Sequence, residues 1–223
     1  MALDAAACLL AAAALVCRAA QLGALGALFD PAPLASAAWW ACVLGISLLY
    51  ALHAFIWNCP RTWAAACGLS HPVRVFARLE VLGKLWQAAC LTRFFGRDGG
   101  SALLAAAAAA PPWCLGVSAA LVASGQALNL AMYWAIGSAG VYYGFKYGCD
   151  VPWCSGFPFN AGLRHPQYVG VVFTIFGLAL PALSAETAEA GLGHVCGAWA
   201  LMYAGMSAME QSGDADSSDV KKR

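Results

Sequence analysis

Gly156-Phe157-Pro158-Phe159-Asn160, followed by Arg164-His165-Pro166-Gln167-Tyr168-Val169-Gly170, is a polar and aromatic knot set between long apolar stretches. Another apolar stretch follows and ends at Glu210. Arg, His, Asn and Gln are costly at membrane depth, so a cluster of them beside spanning-length apolar segments is read as a functional site by default. The stretches on either side decide the fold class, and the knot decides where chemistry is sought.

Composition agrees with that reading. The chain has 223 residues, of which 62% are hydrophobic and 10% charged. Soluble domains carry about 25% charged residues. This deficit, with several apolar runs of spanning length, points to an all-α, polytopic integral membrane bundle of four to six hydrophobic helices. No alternation over enough strands exists to build a barrel. A net charge of +1 implies no polyanion partner and so no nucleic acid. None of the ten cysteines forms a zinc-type or redox Cys-x-x-Cys pair, and no metal is expected. Cys149 and Cys154 flank the knot and are read as plain thiols.

Outward from the knot, the chain divides at its punctuation. Ala5–Phe29 reads as a first hydrophobic helix, stopped by Asp30-Pro31-Ala32-Pro33. It lacks a basic leader and is interrupted by Arg18, so a retained helix is favoured over a cleaved signal. Ala35–Trp57 is a second helix, ended by Asn58-Cys59-Pro60-Arg61. Val73–Phe95 carries Arg74, Arg78, Glu80, Lys84 and Arg93, and either spans with snorkelling charges or lies in the interface. Glu80 and Lys84, four apart, are a candidate helix pair. Arg97–Ser101 reads as a loop, and the Ala-rich tract Ala105–Ala110 as spanning, interfacial or irregular. A long helix from Trp113 to about Tyr143 carries small residues suited to close packing in lipid. Gln167–Leu183 and Gly191–Ala208 are two more apolar helices. One membrane-embedded domain, 1–210, and a polar, disordered tail, 211–223, are expected. Arg61, Arg74, Arg78 and the terminal Lys221-Lys222-Arg223 favour the cytosolic side.

Three motifs carry a resemblance. Ile136-Gly137-Ser138-Ala139-Gly140-Val141-Tyr142-Tyr143-Gly144, Gly156-Phe157-Pro158-Phe159-Asn160 and His165-Pro166-Gln167-Tyr168-Val169-Gly170 resemble, in order and spacing, the phospholipid N-methyltransferase family. A weaker likeness extends from about Leu49 to Glu210. The resemblance implies methylation of phosphatidyl-N-methylethanolamine and its dimethyl form, and of phosphatidylethanolamine in some members, with S-adenosylmethionine as the methyl donor. It implies a multi-pass protein of the endoplasmic reticulum, with a mitochondrial membrane as the alternative, taking its lipid from the bilayer. Oligomeric state is left open.

The family's cofactor positions carry over one by one. Its glycine motif falls on Ala123-Ser124-Gly125, where Ala123 departs from the usual glycine. Its acidic pair falls on Met209-Glu210, leaving one carboxylate. The resemblance thus implies cofactor contacts at Ala123, Ser124, Gly125, Arg164, His165, Tyr168, Met209 and Glu210, with His165 and Glu210 as the catalytic candidates. Glu210 suits the cofactor's ammonium first and a proton second, and Arg164 suits its carboxylate. Tyr142, Tyr143, Phe157 and Phe159 are candidates for cation–π contacts. Each residue also has a plain structural reading: Arg164 and Tyr168 as interfacial anchors, His165-Pro166 as a helix start, Gly125 as packing, Glu210 as a helix-end charge. Two rival functions remain at this level: carboxyl methylation of a prenylated cysteine, and a small transporter or scaffold. The Gly-Phe-Pro-Phe-Asn segment argues against the first, and the lack of an internal repeat against the second.

Overall fold

In lipid every backbone polar group must be paired within the chain, and helices achieve this segment by segment. The computed structural model describes residues 2–96 and 101–220, with side chains over 4–96 and 103–212. Among these residues the regular structure is helical throughout and includes no strand. Arg97–Gly100 of the expected loop and Lys221-Lys222-Arg223 lie outside the described residues.

Helix α1 runs Ala2–Gln21 and gives way to a 3-10 turn at Gly26–Leu28, so it ends sooner than expected. Helix α2, Ala37–Asn58, starts at Ser36, whose hydroxyl accepts the Trp39 N–H at 3.4 Å. The punctuation after it starts another helix instead of a loop: Pro60 opens α3, Pro60–Cys67, because proline lacks only an N–H that the first turn leaves unpaired anyway. Helix α4 covers Pro72–Phe95 and α5 covers Ser101–Ala108, so part of the alanine tract is helical. Helix α6, Pro112–Val141, is broken at Gly137 (φ 64°, ψ 177°), a backbone state essentially reserved for glycine. After a loop with short 3-10 turns come α7, Pro166–Ala182, and the short α8, Ala185–Glu189, closed by a Ser184–Thr187 capping box. The last helix, α9, runs Leu192–Val220. It passes the compositional boundary at Gln211 where a disordered tail is expected, so the change from apolar to polar falls inside a helix.

Asp4–Gln21, Ala37–Asn58 and Pro112–Tyr147 are long and apolar enough to cross a membrane, and Pro166–Ala182 is a shorter apolar helix. The chain is a multi-pass membrane protein. Helix α4 fails that test by composition, yet its partners place it at the same depth as α2. Trp86 Nε1 donates to the Gly45 carbonyl at 3.0 Å, Gln87 Nε2 to the Ile46 carbonyl at 3.0 Å, and Glu80 meets His53. Falling residue numbers on α4 thus match rising ones on α2, so the two run antiparallel side by side. Of the two readings of this segment, pairing side by side with a candidate span favours a spanning helix, with Glu80 and Lys84 turned toward the bundle and Arg74, Arg78 and Arg93 exposed nearer its ends.

The tightest seam joins α6 to α7. Gly125 and Gly170 bring the backbones together: a Cβ on Gly170 would lie 2.6 Å from the Gly125 carbonyl oxygen. Ser118 Oγ donates to the Gly177 carbonyl at 2.6 Å two turns away. Two apolar clusters result. One gathers α1, α2, α7 and α9 around Leu15, Ile46, Leu180 and Val195, all buried. The other gathers Ile56, Trp63, Phe76, Ile136 and Tyr142 at one end of the bundle. Met209 packs against both.

Candidate active site

The end of the bundle holding the aromatic cluster also holds the ends of α2 and α6 and the starts of α1, α4 and α7. Here α6 stops at Val141, and Tyr143 takes a left-handed conformation (φ 57°). A bulky side chain in that region is strained by about 1–3 kcal/mol unless its surroundings hold it there. Tyr143 is buried, and its hydroxyl donates to Glu210 Oε1 at 2.7 Å. The Tyr168 hydroxyl donates to the same oxygen. Glu210 Oε2 stands 3.9 Å from His165 Nδ1. The His165 ring lies parallel to Tyr168, with centroids 5.5 Å apart, and its Nε2 is 3.0 Å from the Gln211 amide nitrogen. Three residues from two chain segments, Tyr143 after α6 and His165 and Tyr168 at the start of α7, therefore converge on one carboxylate of α9.

The start of α7 is fixed from the far end of the sequence. Asp4 Oδ1 accepts the backbone N–H of Arg164 at 3.0 Å and of His165 at 3.3 Å. Carboxylates suit helix N-termini, where unpaired N–H groups converge.

These groups border a cavity of about 600 Å³, within the usual range for small-molecule sites. Arg164, His165, Tyr168 and Glu210 line it together with Tyr143, Phe159 and Trp57. Lys146 Nζ sits 3.7 Å from the centre of a Trp57 ring, so the indole face already serves as a cation seat. Of the aromatic candidates, Tyr143 and Phe159 face the cavity. Tyr142 turns away to hydrogen-bond Tyr133, and Phe157 is 58% exposed and not part of the lining.

The remaining candidates are not brought to this place. Met209 is one residue from Glu210 but receives the Asn58 amide N–H on its sulfur at 3.1 Å. Gly125 is buried in the seam with Gly170, about two helical turns along α6 from Met132 of the cavity wall. Ala123 and Ser124 are exposed beside it. The glycine motif here makes a helix contact and not a cavity wall. Cys149 and Cys154 are both free thiols, the former 3.6 Å from His71 Nε2. Among the described residues no three His, Cys, Asp or Glu side chains gather as a metal ion would require.

Two further cavities adjoin. A polar one of about 260 Å³ shares His53, Gln167 and Tyr168 with the first and adds Glu80, Lys84 and Tyr203. An apolar one of about 570 Å³ shares Lys84, Gln126 and Asn129 with the second and is walled by Leu91, Phe95, Leu103, Leu178, Val195 and Trp199. Asp4, His53, Trp57 and Gln211 were not singled out as site residues by sequence. His53 and Trp57 fall within the weaker likeness that starts at about Leu49, and Asp4 and Gln211 outside it.

A family model described as phospholipid methyltransferase matches residues 113–212. A phosphatidyl-N-methylethanolamine N-methyltransferase of Arabidopsis thaliana is 32% identical over 136 residues, covering 59% of this chain and 73% of the relative. No solved structure matches. The matched family region contains α6, α7, the loop between them and α9 as far as Glu210, which is to say most of the cavity wall.

Proposed function

The chain belongs to the phospholipid methyltransferase family, and we propose that it N-methylates phosphatidyl-N-methylethanolamine and phosphatidyl-N,N-dimethylethanolamine with S-adenosylmethionine at the cavity around Glu210. The observation that carries this reading is the single carboxylate held by Tyr143 and Tyr168, facing His165, in an aromatic-walled cavity.

The residues present suit such a donor. Glu210 offers a carboxylate to an ammonium group, Arg164 a planar guanidinium to a carboxylate, and Trp57 and Tyr143 offer ring faces to a sulfonium. S-adenosylmethionine supplies a methyl group on a positive sulfur, and transfer forms an N–C bond as the S–C bond breaks. Tyr143 and Tyr168 hold Glu210 in one orientation, and the Asp4 carboxylate holds the backbone that presents Arg164 and His165. The nitrogen must be a neutral amine to attack, so a group must take its proton, and Glu210 and His165 are the candidates in reach of the cavity. Met209 supports Glu210 from the core, while Gly125 packs against Gly170 and Ala123 and Ser124 lie exposed beside it.

The apolar cavity matches the other half of the substrate. Its aliphatic and aromatic walls suit an acyl chain, and it joins the headgroup region through the polar cavity at Lys84. The cavity end of the bundle carries Arg61, Arg74, Arg78, Lys146 and Arg164, and this basic excess supports a cytosolic orientation, open to a soluble cofactor. The membrane is taken to be that of the endoplasmic reticulum, as the family resemblance implies.

The test is methyl transfer from labelled S-adenosylmethionine by purified protein in lipid micelles, with phosphatidylethanolamine and its mono- and dimethyl forms supplied separately. Labelled lipid is expected with the methylated acceptors, and Glu210→Ala is expected to lower kcat/KM by about a hundredfold or more. Folded protein that binds no cofactor and labels no lipid would sink the proposal.

A further inference from the structure

The hydrogen bonds at Tyr143 do not stop at Glu210. The Tyr143 hydroxyl also lies 3.4 Å from His53 Nδ1. His53 Nε2 is 2.8 Å from Glu80 Oε2, and Glu80 Oε1 is 3.4 Å from Lys84 Nζ. Lys84 Nζ in turn donates to the Tyr203 hydroxyl at 3.0 Å. His53 and Glu80 are each 18% exposed, with the buried Phe76 ring edge-on to the imidazole at 4.7 Å. His53 borders both the main cavity and the polar cavity behind it. Nothing in the positioning of Glu210 requires this second set of charges.

Proton counting gives it a role. A phenol carries one proton. When Tyr143 donates that proton to Glu210, its oxygen can only accept, so His53 must present Nδ1–H. The same ring faces a carboxylate at Nε2 and carries a proton there too, making it an imidazolium. When Tyr143 instead donates to His53 Nδ1, the ring is neutral, with its one proton on Nε2 toward Glu80. The two arrangements differ by one proton on His53, and the same heavy-atom geometry serves both.

We propose that His53, backed by Glu80, is the terminal acceptor for the proton shed by the lipid amine, reached through Glu210 and Tyr143. This rests on the methyltransferase reading above. The ammonium proton passes to Glu210. As Glu210 hands a proton to the Tyr143 oxygen, the Tyr143 hydroxyl proton passes to His53 Nδ1. Glu210 returns to carboxylate, Tyr143 to neutral phenol, and His53 becomes an imidazolium paired with Glu80. One proton has moved, and the amine is left neutral. Each methylation yields an ammonium that must lose a proton before the next, so the relay resets between turnovers by release from His53 into the polar cavity. The titratable and charged groups that share the two cavities with His53 are Tyr50 from α2, Glu80 and Lys84 from α4, Tyr133, Tyr142, Tyr143 and Lys146 on and after α6, Arg164, His165 and Tyr168 at the start of α7, and Tyr203 and Glu210 from α9. Glu80 bridges the two cations, with Oε2 on the His53 ring and Oε1 toward Lys84.

The experiment compares wild type with His53→Gln and Glu80→Gln, following cofactor binding and kcat for the monomethyl lipid from pH 6 to 9.5. Cofactor affinity is expected to stay near the wild-type value, and kcat at neutral pH to fall about a hundredfold in His53→Gln. That deficit is expected to shrink by about tenfold per pH unit as bulk solvent deprotonates the amine, and added imidazole is expected to restore part of the rate to His53→Ala. Where His53→Gln loses cofactor binding, Glu80→Gln carries the same comparison. An equal fractional loss at every pH without imidazole rescue, or no loss at all, would overturn the relay while leaving the methyltransferase reading intact. Wild-type protein without methyl transfer would remove that reading and the relay with it.

Discussion

Trp57 presents an aromatic face at the cavity through which the proposed reaction would select its substrate. Lys146 occupies it at 3.7 Å, and the chemistry proposed for this cavity produces ammonium groups of increasing methylation. A methylated ammonium is more weakly hydrated than a lysine and gains more from an indole face, by about 0.5–2 kcal/mol in a partly buried site. Trp57→Leu is therefore expected to raise KM for the dimethyl lipid by roughly 3- to 30-fold, and for the unmethylated lipid by less, as read in side-by-side kinetics. At this scale the sequence was informative in one region only. Arg164, His165, Tyr168 and Glu210 stood out as polar residues among apolar neighbours, and all four line the cavity. Asp4, 160 positions from Arg164, and His53, 90 from Tyr143, carry no local pattern that ties them to the knot. Their roles come from helix packing that places distant residues side by side.

Between elements, the α6–α7 seam decides how closely the cavity's two walls approach. Gly170→Ala would put a Cβ 2.6 Å from the Gly125 carbonyl, a rigid backbone atom that cannot give way cheaply. A loss of about 1–3 kcal/mol is expected, seen as a lower melting temperature in detergent. Gly116→Ala, on α6 with nothing within 4 Å, is expected to be neutral or mildly stabilising through helix propensity. The hydrophobic runs located α2, α4, α6 and α7 to within a few residues, because lipid-facing length is written directly in composition. The helix begun by Pro60 was illegible for the opposite reason: the same proline ends one pattern and starts the next. The glycine motif at Gly125 was visible, but a small residue that admits a ligand and one that admits a neighbouring helix look alike in sequence.

Across the whole molecule, the start of α1, Glu210 of α9 and the basic residues Arg61, Arg74 and Arg78 lie at the cavity end, while Glu186, Glu189 and Asp30 lie at the other. In sealed microsomes with their cytosolic face outward, single-cysteine variants retaining Cys59 or Cys154, both exposed at the cavity end, are expected to react with a membrane-impermeant maleimide without detergent. Protection of both until the membrane is opened would reverse the orientation. The bundle itself was foreseeable from composition, whereas the convergence of its elements on one carboxylate was not, since it depends on six segments meeting at one end. The Asp4 clasp on Arg164 and His165 has a consequence for biosynthesis. Its two halves leave the ribosome at opposite stages of translation, and Glu210 emerges later still. A nascent chain halted between α7 and that residue holds its long apolar helices but not the carboxylate on which the proposed centre depends, so under that proposal catalytic output reports that insertion has run to completion.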